Sequence, residues 1–162
     1  MTTVGIKIWK SVEIGTDPRS TNKVCLSLET KGRVISRTAN AILNKMIFAG
    51  EKTKVDLIKM SIHDLGFDGF DEARYMDALS RSRNLNLVPC QVEAIAKVCL
   101  QDIEQTDEWY LVAMEPVKSD NHIGHLCVLR ILWKDGVLWL GTASFPPDGV
   151  MPTDTTLIFQ AL

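Results

Sequence analysis

The feature that most constrains this chain is a change of hydrophobic period near Glu108. Before it, apolar residues recur mainly at helical intervals; after it, they alternate as on strands. Lys134-Asp-Gly-Val137 then interrupts the alternation, and Asp-Gly suits the positive φ angles of a tight type I′ hairpin. Strands are predicted over 109–117, 125–133, 137–143 and 156–160, the last after a loop with Pro146, Pro147, Gly149 and Pro152. Four strands in this order read as an antiparallel meander or partial barrel, whose apolar face needs a cover.

The firmest helix stands before the change. Pro89 suits a helix start, and Val92, Ile95, Ala96, Cys99 and Ile103 fall on one stripe. Glu93 and Lys97 pair at i, i+4 on what reads as the outer face. Upstream, 5–14 alternates like a strand, Ser20 to Thr30 reads as a helix stopped by Lys31-Gly32, and Ser36 caps a second helix carrying Ala39, Ile42, Leu43 and Met46. Residues 55–62 fit a strand better than a short helix, and Asp71 is placed as the cap of a helix reaching Ser82. The fold class is therefore α+β: a helical part over about 15–104, with one or two strands, and a β part over about 105–162, in a single domain 1–162.

Hydrophobic residues make up 46% and charged residues 23% of 162 residues, which excludes disordered and fibrous classes. The longest apolar run, Leu126 to Trp133, is broken by Arg130, so no membrane association is expected. The N-terminus lacks the basic and apolar regions of a signal peptide. Four scattered cysteines fit free thiols in a reducing compartment, hence a cytoplasmic protein. The net charge of −2 divides into +6 over residues 1–60 and −8 over 61–162. Such a split fits packing of the two halves, a homo-oligomer, or a nucleic-acid face.

The segments Ile8-Trp-Lys-Ser-Val-Glu-Ile-Gly-Thr16, Ala39-Asn-Ala-Ile-Leu43, Val55-Asp-Leu57, Leu65-Gly-Phe67, Leu85-Asn-Leu-Val-Pro89 and Glu108-Trp-Tyr-Leu-Val-Ala-Met-Glu-Pro116 follow one another in a specific order. In this the chain resembles a family of small, uncharacterised bacterial proteins over nearly its whole length. The resemblance implies a bacterial, cytoplasmic setting and supplies no mechanism. Where that pattern has Leu-Cys-Pro-Pro, this chain reads Leu87-Val-Pro-Cys90, so no fixed role for Cys90 carries over.

Candidate chemistry is sparse. His122, His125 and Cys127 are ligand types that suit zinc, but they lack a second pair at a recognised spacing, so no metal and no cofactor is read. Asp64, Asp68 and Asp71 do not have the spacing of a calcium loop and fit turn formation. Cys90 at a helix start is the best-placed nucleophile, since the helix dipole lowers a thiol pKa. Two helices around Lys31-Gly32 resemble a helix-turn-helix over 20–47, with Lys31, Arg33, Arg37 and Lys45 as the nucleic-acid contacts.

With no convincing catalytic set, the leading expectation is a non-enzymatic binding or regulatory module acting through protein contact. The alternatives are a nucleic-acid-binding accessory protein, and a small enzyme with Cys90 or His122/His125 in a helix–sheet cleft. Exposed tryptophans on the sheet would favour the first, a continuous basic face the second, and a cysteine beside a histidine in a cleft the third.

Overall fold

The computed structural model describes residues 6–120 and 122–162; Gly5, the expected start of the first strand, and the N-terminus read for a signal peptide lie outside them. In chain order the elements are β1 (Lys10–Ile14), α1 (Thr21–Thr30), β2 (Val34–Ile35), α2 (Arg37–Leu43), β3 (Thr53–Ser61), β4 (Glu72–Arg74), α3 (Tyr75–Ser82), β5 (Leu87–Val88), α4 (Val92–Cys99), β6 (Trp109–Val112), β7 (Val117–Lys118), β8 (Leu126–Lys134), β9 (Val137–Phe145), β10 (Val150–Pro152) and β11 (Thr156–Ala161). Ser36 caps α2 by accepting from the Ala39 N–H, as its sequence position predicts, and Ser20, expected as the first helical residue, instead caps α1 by accepting from the Lys23 N–H.

The α+β class holds, but two finer expectations do not. The first two thirds contain five strands among their helices, so the chain is not a helical part followed by a β part. Nor is the sheet an antiparallel meander. Its order is β1-β3-β11-β6-β8-β9-β2, with β11 parallel to β6 and β2 parallel to β9. The C-terminal strand inserts between β3 and β6 because Leu157, Ile158 and Phe159 are apolar on both faces, as a central strand requires. The β8–β9 hairpin forms as predicted, with Asp135 and Gly136 at φ 52° and 75°.

The expected strand 109–117 splits into β6 and β7. Tyr75, fully buried, places its hydroxyl between them: it donates to the Met114 carbonyl (2.8 Å) and accepts from the Met114 N–H (2.9 Å). Those backbone groups are thus withdrawn from the ladder. The helix expected from Asp71 starts only at Tyr75, because Glu72–Arg74 pairs with β10 in a small second sheet.

Strand alternation gives the main sheet two different faces. One carries Val12, Leu57, Ile158, Tyr110, Ile131 and Leu140 and lies under α1, α2 and α4. The other carries Met60, Phe159, Leu157, Leu111 and Phe145 in the middle, near α3 and Tyr75, whose ring packs 4.9 Å from that of Phe145. The buried side chains form one contiguous cluster.

α4 departs most from its sequence reading. It ends at Cys99, and every residue from Glu93 to Cys99 is buried. The Glu93–Lys97 pair is therefore interior, with exposures of 0% and 8%. Glu93 accepts from the Gly15 N–H (2.8 Å) and the Ala49 N–H (2.8 Å), and Lys97 donates to the Thr16 carbonyl (2.6 Å). One ion pair thus ties α4 to the loops after β1 and after α2. Gly15 sits at φ +72°, and a Cβ there would collide with the Glu51 carbonyl.

No helix among the described residues is long and apolar enough to cross a membrane.

Candidate functional site

The sheet face under the helices is not completely covered. Between α2, the start of α4 and the 114–120 segment lies a cleft of about 390 Å³. Ile42, Cys90, Val92, Met114 and Cys127 contribute to its lining. Lys45, Glu115, Lys118 and Asp120 are the exposed charged residues around it. α2 presents Thr38, Ala41 and Ile42 to the cleft at helical spacing, because the other side of the helix buries Ala39 and Leu43, and Lys45 follows just past its C-terminal end. A second depression of about 380 Å³ adjoins it, lined by Met46, Ile47, Phe48, Ala49 and Gln91. Lys45 and Val92 line both.

Of the sequence candidates, Lys45, Cys90 and Cys127 line this cleft; among the described residues no histidine does. The reactive thiolate expected of Cys90 is not supported by its surroundings. Burial pushes the Cys90 thiol up, and its Sγ donates to the Ile158 carbonyl at 3.2 Å. Desolvation outweighs the helix dipole here, since charging a thiol away from water costs more than a partial charge returns. The Cys127 thiol is also raised, first by burial and then by Asp120. Cys99 is pushed up to about 12 by burial, and Cys25 is raised by burial and Glu29.

The His122 and His125 rings stand edge to face, 5.4 Å apart between centroids. Among the described residues, neither they with Cys127 nor any other three His, Cys, Asp or Glu side chains gather as a metal-ligand set. Asp64 is held beside His63 at 3.3 Å.

The helix-turn-helix outline is replaced by a different connection. β2 stands between α1 and α2 and joins the sheet beside β9, so the helices are not joined by a tight turn. Lys31 pairs with Asp102 at 2.9 Å and holds that carboxyl below its usual range. Arg33 donates to the Cys99 and Gln101 carbonyls, both at 2.9 Å, and lies 5.5 Å from the Trp133 ring. These two cations serve the C-terminal end of α4, where the last carbonyls lack helical partners. Arg37 and Lys45 remain exposed, Lys45 at the cleft.

Sequence reasoning missed the cleft because its walls come from three distant segments. The one available signal was Met114-Glu-Pro116, where apolar alternation ends early.

Compared with protein-family models, curated proteins and solved structures, the chain matches none.

Proposed function

We propose that this chain is a non-enzymatic binding module that acts through protein contact, holding a short peptide segment of its partner in the cleft beside α2. The observation that carries this is the pair of adjoining apolar depressions, each nearly 400 Å³, with Lys45 and Val92 between them. Two depressions in line suit a segment with two bulky apolar side chains; Lys45 between them suits an acidic residue separating those anchors. Burial of the thiols and the lack of a lining histidine weigh for binding over thiol catalysis. The nucleic-acid alternative would rest on Arg37 and Lys45, since Lys31 and Arg33 are engaged at α4.

Selection from a displayed random-peptide library tests the proposal. Enriched peptides should carry two apolar residues flanking Asp or Glu. Ala41→Trp, which puts an indole into the cleft from α2, should abolish their binding while the fold persists. A selection that yields no binders, or binders indifferent to Ala41→Trp, would refute it.

A further inference from the structure

One border of the main sheet is closed and the other is open. At the β1 border the Ser11 carbonyl accepts from the Gln101 side chain at 2.9 Å, and the Glu13 carbonyl accepts from the Thr16 hydroxyl at 3.3 Å. At the opposite border β2 covers only Trp139 and Leu140 of β9, and the chain then turns from Ser36 into α2. Past that point, among the described residues, no strand pairs with 141–145 on the side away from β8. The ladder fixes which backbone groups face outward. The Leu140 carbonyl accepts from the Ser36 N–H, and the Leu129 N–H, opposite Thr142, points away from β9 to the Met114 sulfur at 3.4 Å. Backbone groups alternate sides along an antiparallel ladder, so Thr142 and Ser144, like Leu140, direct their N–H and C=O groups outward. Ser144 is exposed and Thr142 half-buried. Four backbone groups thus stand in the plane of the sheet with no backbone partner among the described residues.

An open strand edge is a template for pairing, and chains usually blunt one with charge, proline or a bulge. Residues 141–145, Gly-Thr-Ala-Ser-Phe, carry neither charge nor proline and pair with β8 in unbroken register. We infer that the open edge of β9 takes up a short extended segment of a partner protein as an added strand. The spacing of the free groups selects the occupant: an extended backbone turns an N–H and a C=O to the same side at every second residue, so it meets all four. The window is about 17 Å long at about 3.4 Å per residue. Ser36 closes one end of it, and Pro146 and Pro147 close the other. A second copy of β9 does not fit. In the antiparallel register that uses both Thr142 and Ser144, Ala143 faces its own equivalent, and the second copy's Pro146 falls opposite Leu140, where Ser36 already sits. Gly141 and Ala143 are the small residues on one face of this edge, so the residue opposite Ala143 has room to be β-branched, while Thr142 and Ser144 suit polar residues on the other face. The edge lies on the far side of β9 from β8 and Cys127, so the inference does not depend on peptide binding in the cleft.

The probe is the peptide fluorescein-Thr-Val-Thr-Val-Thr-Lys-amide, titrated with the full chain up to about 1 mM and followed by anisotropy, since a few backbone hydrogen bonds give weak affinity. The expected result is saturable binding that Ser144→Pro weakens at least about tenfold. That substitution removes an outward N–H and leaves the β8 ladder whole, so the far-UV spectrum should not change. N-methylation of the threonine amides in one peptide and of the valine amides in another should abolish binding in one and spare it in the other, because an added strand presents a single edge. Amide exchange on the parent chain, read by NMR, locates the site without any variant: the Thr142 and Ser144 N–H groups should exchange fast in the free chain and be protected by the peptide. Absence of binding, two methylated peptides that behave alike, binding that leaves both amides unprotected, or binding indifferent to Ser144→Pro overturns the inference. Binding lost in Ala41→Trp also overturns it and puts the peptide in the cleft. Slow exchange of both amides in the free chain at high protein concentration overturns it in favour of a second copy.

Discussion

Replacing Glu93 with alanine probes the interaction that fixes α4 in place. In the folded chain the carboxylate has three partners: the N–H groups of Gly15 and Ala49, both at 2.8 Å, and the Lys97 ammonium at 3.2 Å. Removing it leaves an ammonium of 8% exposure with the Thr16 oxygens as its remaining partners, and leaves two backbone donors facing an empty space. Breaking one side of a buried ion pair costs about 3–5 kcal/mol. The orphaned donors act through the same gap, so their cost of about 1–3 kcal/mol each is not fully additive. A loss of about 4 kcal/mol is expected, equivalent to a fall in Tm of about 8–16 °C for a domain of this length. Urea unfolding followed by circular dichroism measures it. Lys97→Met should cost less, about 3 kcal/mol, at the low end of that range, because the carboxylate keeps both backbone donors and the methionine stem keeps the packing. The double substitution should cost less than the sum of the two single ones. A Glu93→Ala variant within about 1 kcal/mol of the parent would refute this reasoning, since a buried ammonium without its counter-ion cannot be that cheap.

Gly15→Ala should cost more than about 2 kcal/mol in the same assay, because it adds a side chain at φ +72° and drives Cβ into the Glu51 carbonyl. Tyr75→Phe should cost about 1–3 kcal/mol while preserving the ring contact with Phe145, since the Met114 N–H loses its acceptor. The thiols give a pH prediction. Cys99 is protonated in the folded state up to about 12, against 9.0 for a free thiol, so its contribution to stability is whole below pH 9 and is lost as pH rises from 9 towards 12. Denaturation midpoints should fall over that window and not between pH 6 and 8. Alkylation of the native protein at pH 8 should modify half-buried Cys25 first and leave Cys90 and Cys99 untouched; equal labelling of all four would contradict the burial argument.

What the sequence disclosed follows from which signals are local. The Asp135-Gly136 turn and the Ser36 cap depend on neighbouring residues, and each was legible; the alternation over 55–62 favoured the strand that forms over Thr53–Ser61 without excluding a short helix. Strand order is not local. Nothing near Leu157–Phe159 says that this segment pairs with β3 and β6 rather than with β9, although its unbroken apolar run does say that it is central. The Glu93–Lys97 pair shows the limit most clearly: i, i+4 spacing on a helix reads as a solvent-facing pair, and only the arrival of Gly15, Thr16 and Ala49 from distant loops makes it interior. The candidate site divides in the same way. Cys90, Cys127 and Lys45 were singled out one by one, but their meeting in one cleft depends on how α2, α4 and the 114–120 segment pack.

The cleft as a peptide-binding groove is tested most directly by amide chemical-shift mapping on the isotope-labelled chain, titrated with the peptide most enriched in the library selection. Shifts should concentrate at residues 38–49, 90–92 and 114–120, with none at Trp109, Leu132 or Trp139. Shifts confined to those three residues, or spread over the whole surface, would contradict the groove.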